Sequence, residues 1–189
     1  NELLQGAAVD DSAARAEFLA ESQVQLDRLE WITHNLLDLS RLDAGLIALD
    51  VSSHNVGELL GAAAAAFRTL AHEKNVALSI KEPSSPLQAD CDRARIELAL
   101  SNLLDNALKA TAAGGTIQVQ ITVSGSQVTL TVTDNGKGLT VEEANRAFEP
   151  YYRGPGGGTG LGLAISREIV TAHSGSIWLR QGLEGGAEA

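Results

Sequence analysis

A single cysteine, Cys91, stands in 189 residues. No internal disulfide and no cysteine-built metal cluster can form, and the thiol is expected to be a buried bystander rather than a reactive group. Cationic charge is also short. The 14 Lys and Arg against 24 Asp and Glu give a formal net charge of −10, which argues against nucleic acid as a partner, because phosphate backbones are bound by basic surfaces. Any anionic ligand has to be held by local groups against that field. No apolar run reaches the roughly 18 residues that would cross a bilayer, so no membrane contact by these residues is expected. The opening NELLQGAAVDD lacks the positive start and apolar centre of a secretory signal, and reads as the tail of a helix belonging to something longer. What remains is a chain that should fold: 44% hydrophobic and 20% charged residues are ordinary for a globular protein, and the length suits one full domain plus an appendage.

Hydrophobic spacing organises that length. From Ala13 to about Asp43, Leu29, Ile32, Leu36 and Leu39 alternate steps of three and four, widened by Leu26, Leu37 and Leu42, and Gly45 ends the run. Such a seam is too apolar for a lone helix; it calls for a helical hairpin pairing with a second copy, hence a homodimer through the N-terminal helices. Beyond it, Ile47 to Val51 reads as a short strand, and Ser53 or Asn55 caps an alanine-rich helix to about Ala71. Val76, Leu78 and Ile80 alternate as a strand, Pro83 and Pro86 break the chain, and Leu87 to Ala89 can form a short strand. Ile117 to Val123 and Val128 to Val132 alternate on either side of Ser124 to Gln127, a β-hairpin. A helical turn over Val141 to Ala147, a glycine-rich loop, a helix from Leu161 to His173 and a strand from Ser176 to Arg180 complete the order. The fold class is α+β, an α/β sandwich in which a mixed sheet carries helices on one face.

The chain is organised around IELALSNLLDNALKAT, Ile96 to Thr111. Ile96, Ala99, Leu100, Leu103 and Ala107 supply an apolar helix face. Asn102, Asn106 and Lys109 fall at i, i+4 and i+7 and share another stripe. A carboxamide oxygen is a hard ligand suited to Mg²⁺, which takes one or two protein ligands and the rest from phosphates and water; a lysine beside it supplies charge for phosphate oxygens. Further on, DNGKGL, Asp134 to Leu139, leaves a strand directly. Its glycines let the backbone approach a flat ligand, and its carboxylate can accept from an exocyclic amine such as adenine's. GGTGLGLAI, Gly157 to Ile165, sets glycines just before a helix, where free N–H groups and the helix dipole favour an anion.

In their order, the asparagine helix, DNGKG, FEPYYRG and GGTGLGLAI resemble the N, G1, F and G2 boxes of the sensor histidine kinase ATP-binding domain, a Bergerat nucleotide fold shared with gyrase, Hsp90 and MutL. RLEWITHNLLDLSRLDAG, Arg28 to Gly45, resembles the second helix of the dimerisation and histidine-phosphotransfer domain of the same kinases. The resemblance divides the chain into 1–46, phosphotransfer helices, and 47–189, a catalytic domain. It implies ATP and Mg²⁺ as cofactors, Asn106 as metal ligand, Asn102 beside it, Lys109 at phosphate, and Asp134 on the adenine amine. Gly136 and Gly138 would shape the adenine pocket, Phe148 and Tyr151 would anchor a lid, and Gly158, Thr159, Gly160, Leu161, Gly162 and Leu163 would cradle the phosphates. A response-regulator receiver domain is the implied partner, and a cytoplasmic position beside a membrane anchor the implied location.

Two departures set expectations of their own. Hydrolysing relatives carry a general-base glutamate where this chain has Asn102, which cannot take a proton from water, so hydrolysis should be slow while transfer by positioning survives. The family's acceptor histidine is followed by acidic, leucine and basic residues, and none of His34, His54, His72 or His173 sits in such a string. The expectation is a kinase core whose first phosphotransfer helix is truncated and whose acceptor is missing. The last residues, Gly185 to Ala189, are expected to leave a sheet edge open. Two other functions compete: a dimerising module with a vestigial nucleotide site, against which Asn106, Asp134 and the glycine run argue, and an anti-sigma-type serine kinase, against which the DLSRLDAG helix argues.

Overall fold

Alternating side chains in the central hairpin explain most of the architecture, seen in a computed structural model that describes residues 48–81, 85–154, 159–182 and 185–189, together with Arg15, Phe18, Leu19, Ser22 and Gln23. The chain divides into two compact units, Asn1–Arg41 and Leu42–Ala189. In the first, those five residues are helical, as expected for 13–43. The dimerisation seam and His34 lie outside the described residues.

In the second unit, β1 (Ser52–Asn55) leads into α1 (Val56–Glu73), followed by β2 (Ala77–Lys81), β3 (Gln88–Cys91) and α2 (Arg93–Ala110). Then come β4 (Thr116–Ser124), β5 (Gln127–Asp134), the short α3 (Val141–Arg146), α4 (Gly162–Ala172), β6 (Arg180–Gln181) and β7 (Ala187–Glu188). Five strands make a sheet in the order β2-β4-β5-β7-β6, with β2 parallel to β4 and the other pairs antiparallel; β1 and β3 pair separately. The sheet is therefore mixed, as the sequence indicates.

The register of β4 and β5 sets Ile117 opposite Asp134, Val119 opposite Val132 and Ile121 opposite Leu130. Period-two alternation puts these on one face, where Ile117, Val119, Ile121 and Val132 join Leu59 and Leu60 of α1 and Leu100, Leu103, Leu104 and Ala107 of α2 in a single core. Asp134 ends that inward row, a carboxylate where the pattern would otherwise place a fourth apolar side chain.

The structure corrects two strand bounds and decides between the two candidate caps. The strand expected over Ile47 to Val51 is absent at 48–51; Ser52–Asn55 forms it instead, because β3 offers the register Ser52 to Cys91 through Asn55 to Gln88. Asn55, not Ser53, caps α1, its Oδ1 accepting from Gly57 N at 2.9 Å. The strand expected from Ser176 to Arg180 is reduced to Arg180–Gln181, since its partner β7 is equally short. The final residues cover only the end of the β5 edge, at Val132 and Thr133; among the described residues 127–131 pair with β4 alone, so that part of the expected edge is open. Ala187–Glu188 lies between β5 and β6, and Ala189 and Val132 exchange backbone bonds at 3.0 and 2.9 Å.

Candidate functional site

The starts of the four helices α1 to α4 set one of them apart. Asn55 caps α1, Asp92 Oδ1 accepts from Arg95 N at the start of α2, and Thr140 with Glu143 makes a reciprocal capping box on α3. α4 begins at Gly162 with no side-chain cap. Among the described residues no side chain caps its first-turn N–H groups, which lie at the end of the helix where the dipole is positive and suit a ligand or solvent. Just before it, Gly160 holds φ 73, and an added Cβ would lie 2.6 Å from the backbone carbon of Tyr151. Tyr151 N donates to Gly160 O at 2.8 Å, so the F-box segment and the glycine run are joined through backbone. Thr159 Oγ1 accepts from Leu161 N at 3.3 Å. Leu161 is buried and Leu163 packs against the core; these two are structural in side chain and can offer only amides. Gly158 lies outside the described residues.

Along α2, the predicted stripe meets both glycine motifs. Asn102 Nδ2 donates to Gly162 O at 3.0 Å and to Ser166 Oγ at 3.4 Å, and Ser166 Oγ donates to Gly162 O at 2.9 Å. The carbonyl can only accept, so chemistry fixes which end of the Asn102 amide faces it. Two turns later, Gly136 packs on the same helix: a Cβ there would lie 2.5 Å from Ala110 O. Asn106 lies midway, one turn from each contact, and is exposed and free of hydrogen bonds among the described residues. At about 1.5 Å rise per residue, 102 to 110 covers roughly 12 Å of helix. The loop from Asp134 to Leu139 and the start of α4 therefore lie against one stripe, with the carboxamide of Asn106 between them.

Lys109 shares this stripe but is occupied, its Nζ 2.5 Å from Asp105 Oδ2 on the exposed surface. Phe148 is buried, whereas Tyr151 is exposed and takes a positive φ of 66. Of the two expected lid anchors, only Phe148 reaches the core. Arg146 lies over the Tyr152 ring at 4.6 Å.

At the other end, Asp134 is 6% exposed. Its Oδ1 accepts from Gly136 N at 2.8 Å and from Ala187 N at 3.3 Å, which leaves Oδ2 as the acceptor available to a ligand. Burial pushes its carboxyl above the usual aspartate range, and the two backbone bonds pull the other way. Gly138 has φ 69, and a Cβ on it would run into the Gln181 amide.

Sequence reasoning missed three participants. Gln181 accepts from Leu139 N at 2.9 Å through Oε1; Ala187 orients Asp134; Ser166 bridges α4 to α2. None is marked by a motif. His173 carries structure: its Nε2 accepts from Asp92 N at 2.9 Å, so Nδ1 is the donor to Ile169 O at 2.8 Å. Cys91 is buried, and burial followed by the neighbouring Asp92 and Asp90 carboxylates pushes its thiol up, away from reactivity.

Comparison with known proteins adds to this geometry. Residues 91–189 match the family described as histidine kinase-, DNA gyrase B-, and HSP90-like ATPase. The alginate biosynthesis sensor protein KinB of Pseudomonas aeruginosa is 32% identical over 167 residues, 87% of this chain. The chain spans less than half the length of the curated relatives it matches, 28% for KinB. Among solved structures, the catalytic domain of histidine kinase ThkA is 28% identical with a TM-score of 0.69, over 74% of this chain and 94% of that one. Full-length ShkA, solved with AMPPNP, is 27% identical with a TM-score of 0.79, over 92% of this chain and 37% of that one.

Proposed function

The chain belongs to the histidine kinase-, DNA gyrase B- and HSP90-like ATPase family, and from that premise we propose that it is the ATP-binding catalytic core of a two-component sensor histidine kinase. The observation that carries the reading is the single stripe of α2 that touches the purine loop at Ala110 and the uncapped glycine helix at Asn102, with exposed Asn106 between. The donor set suits Mg–ATP. Asp134 Oδ2 would accept from the adenine amine, Asn106 would hold Mg²⁺, the amides around Gly160 to Leu163 would hold phosphate oxygens, and Lys109 would join them on leaving Asp105. The nucleotide would supply the γ-phosphoryl group, and the metal would neutralise its charge.

In this reading Asn102 positions the start of α4 and provides no base for water, so the site favours transfer over hydrolysis. The acceptor is a histidine outside these 189 residues. On this reading residues 1–46 are the phosphotransfer helices, which would pair in a homodimer, and 47–189 the catalytic domain. The phosphoryl group passes to an aspartate of a response-regulator receiver domain, and these residues are the cytoplasmic portion of a membrane-anchored sensor; among the described residues no helix is long and apolar enough to cross a membrane. KinB is named a sensor protein, and ShkA was solved with an ATP analogue, which accords with the reading.

The test is titration of AMPPNP with Mg²⁺ into the chain, then incubation with labelled ATP. Saturable binding is expected without acid-labile phosphohistidine on the chain itself; label should appear on an added phosphotransfer domain that carries an acceptor histidine. Absence of AMPPNP binding would favour the vestigial module.

A further inference from the structure

The purine loop is held at both ends by the last ten residues of the chain. At its start, Ala187 N donates to Asp134 Oδ1 at 3.3 Å. At its finish, Gln181 Oε1 accepts from Leu139 N at 2.9 Å while Gln181 Nε2 donates to Gly185 O at 2.7 Å. Both contacts come from one hairpin, closed by Gly182 N to Gly186 O at 2.7 Å and paired Arg180 to Glu188 and Gln181 to Ala187. Gly138 lies between these anchors, and the Gln181 amide occupies the space a side chain there would need. Gly186 is equally constrained, since a Cβ on it would strike the Asp134 carbonyl. The hairpin therefore closes on the loop from Asp134 to Leu139.

We infer that Gln181 is a positioning residue of the purine pocket, fixing the backbone at Gly138 and Leu139 so that the loop stays shaped for a flat base. This rests on the nucleotide reading above. Gln181 satisfies a donor and an acceptor at once, and only a side chain with an amide's two functions at that reach can do both. Without it, Leu139 N loses its acceptor and the loop is tied only at Asp134. A loosened loop must be ordered when the base enters, which lowers affinity by the ordering cost. Among the described residues, the hydrogen bonds of Gln181 go to Leu139 and Gly185, and those of Asn102 and Ser166 at the start of α4 are separate from them.

The experiment compares wild type, Gln181→Ala and Gln181→Glu by calorimetric titration of Mg–AMPPNP and by amide hydrogen exchange. For Gln181→Ala, affinity should fall about fivefold, the scale of one or two net hydrogen bonds. Leu139 amide exchange should rise about tenfold, with the amides of β4 and β5 unmoved. Gln181→Glu keeps the acceptor for Leu139 N but turns a carboxylate oxygen toward Gly185 O where Nε2 had donated, so it should recover part of the affinity and of the Leu139 protection. The inference is overturned if Gln181→Ala binds as wild type does, if Glu and Ala lose equally, or if β4 and β5 amides accelerate along with Leu139, which marks general loosening. A wild type that fails to bind AMPPNP removes the nucleotide reading and this inference together; a wild type that binds beside an indifferent Gln181→Ala removes this inference alone.

Discussion

Asp134 and Asn106 would contact the same ligand, yet they are presented in different ways. Asp134 ends a row of inward sheet side chains, is almost fully buried, and is oriented by two backbone amides. Asn106 stands exposed on a helix and is tied to nothing among the described residues. The same contrast runs through their neighbourhoods. The proposed purine loop is clamped by glycine packing and the final hairpin, whereas at the proposed phosphate end Lys109 is held by Asp105 and Leu161 N by Thr159, partners that a ligand would have to displace. On the nucleotide reading, one end of the site would be preorganised before the ligand arrives and the other completed by it. Preorganisation confers selectivity where one wrong group leaves a buried polar atom unpaired, so base recognition should be brittle and phosphate recognition forgiving.

Asp134→Asn should break the purine end most severely. The amide can still accept from Gly136 and Ala187 through its oxygen, but it then turns a donor toward the adenine amine. Loss of a charged acceptor, with two donors opposed, should weaken AMPPNP about a hundredfold in titration calorimetry. Stability should move the other way. A carboxyl raised by burial contributes stability that is present at acid pH and lost as pH rises through its folded value. At neutral pH the wild type carries the cost of the buried charge and the amide does not, so the variant should melt no lower than wild type at pH 7. Wild-type affinity for the nucleotide should in turn weaken on acidification, as Asp134 takes up a proton. A variant that binds normally, or that melts well below wild type, would break the contrast.

Asn106→Ala should cost about tenfold in the presence of Mg²⁺ and little in its absence, because an exposed, unbonded side chain can matter only through what it binds. Equal losses with and without the metal would move Asn106 from ligand to scaffold. Asn102→Leu should act through the fold. It removes two hydrogen bonds between α2 and α4 and should lower unfolding stability by about 1–2 kcal/mol in urea, with phosphate affinity falling only as far as the start of α4 drifts.

Much of this contrast could be read in the sequence, and what could not has a physical reason. Period-two alternation located β4 and β5, three- and four-residue steps located α2, and the glycines marked both loops, because each signal is local. The strand Ser52–Asn55 was missed since its residues are polar and pair only because β3 lies beside them. β7 was missed for the same reason: two residues of Ala and Glu have no strand signature until Val132 and Thr133 offer partners. The stripe of Asn102, Asn106 and Lys109 was evident from spacing. That Asn102 is spent on Gly162, and Lys109 on Asp105, was not, since spacing places side chains without choosing their partners. Gln181 lies 42 residues from the amide it accepts from, beyond the reach of any motif.

The gentlest way to sharpen the comparison is to release Lys109. Its pair with Asp105 is exposed, about half of each side chain reaching solvent, and exposed pairs are worth about 1 kcal/mol at most. If the phosphate end is assembled by its ligand, Asp105→Asn should spare the nucleotide the cost of breaking that pair and remove a carboxylate from the stripe. AMPPNP should then bind two- to threefold more tightly at low salt, about the worth of half such a pair. The gain should fade as salt rises, because screening weakens the competing carboxylate in the wild type as well. Lys109→Met should lose a few-fold over the same range, whereas neither substitution should alter the pH dependence attributed to Asp134. An Asp105→Asn variant that binds more weakly than wild type would mean that the carboxylate holds Lys109 in its working position, and the phosphate end would then be as preorganised as the purine end.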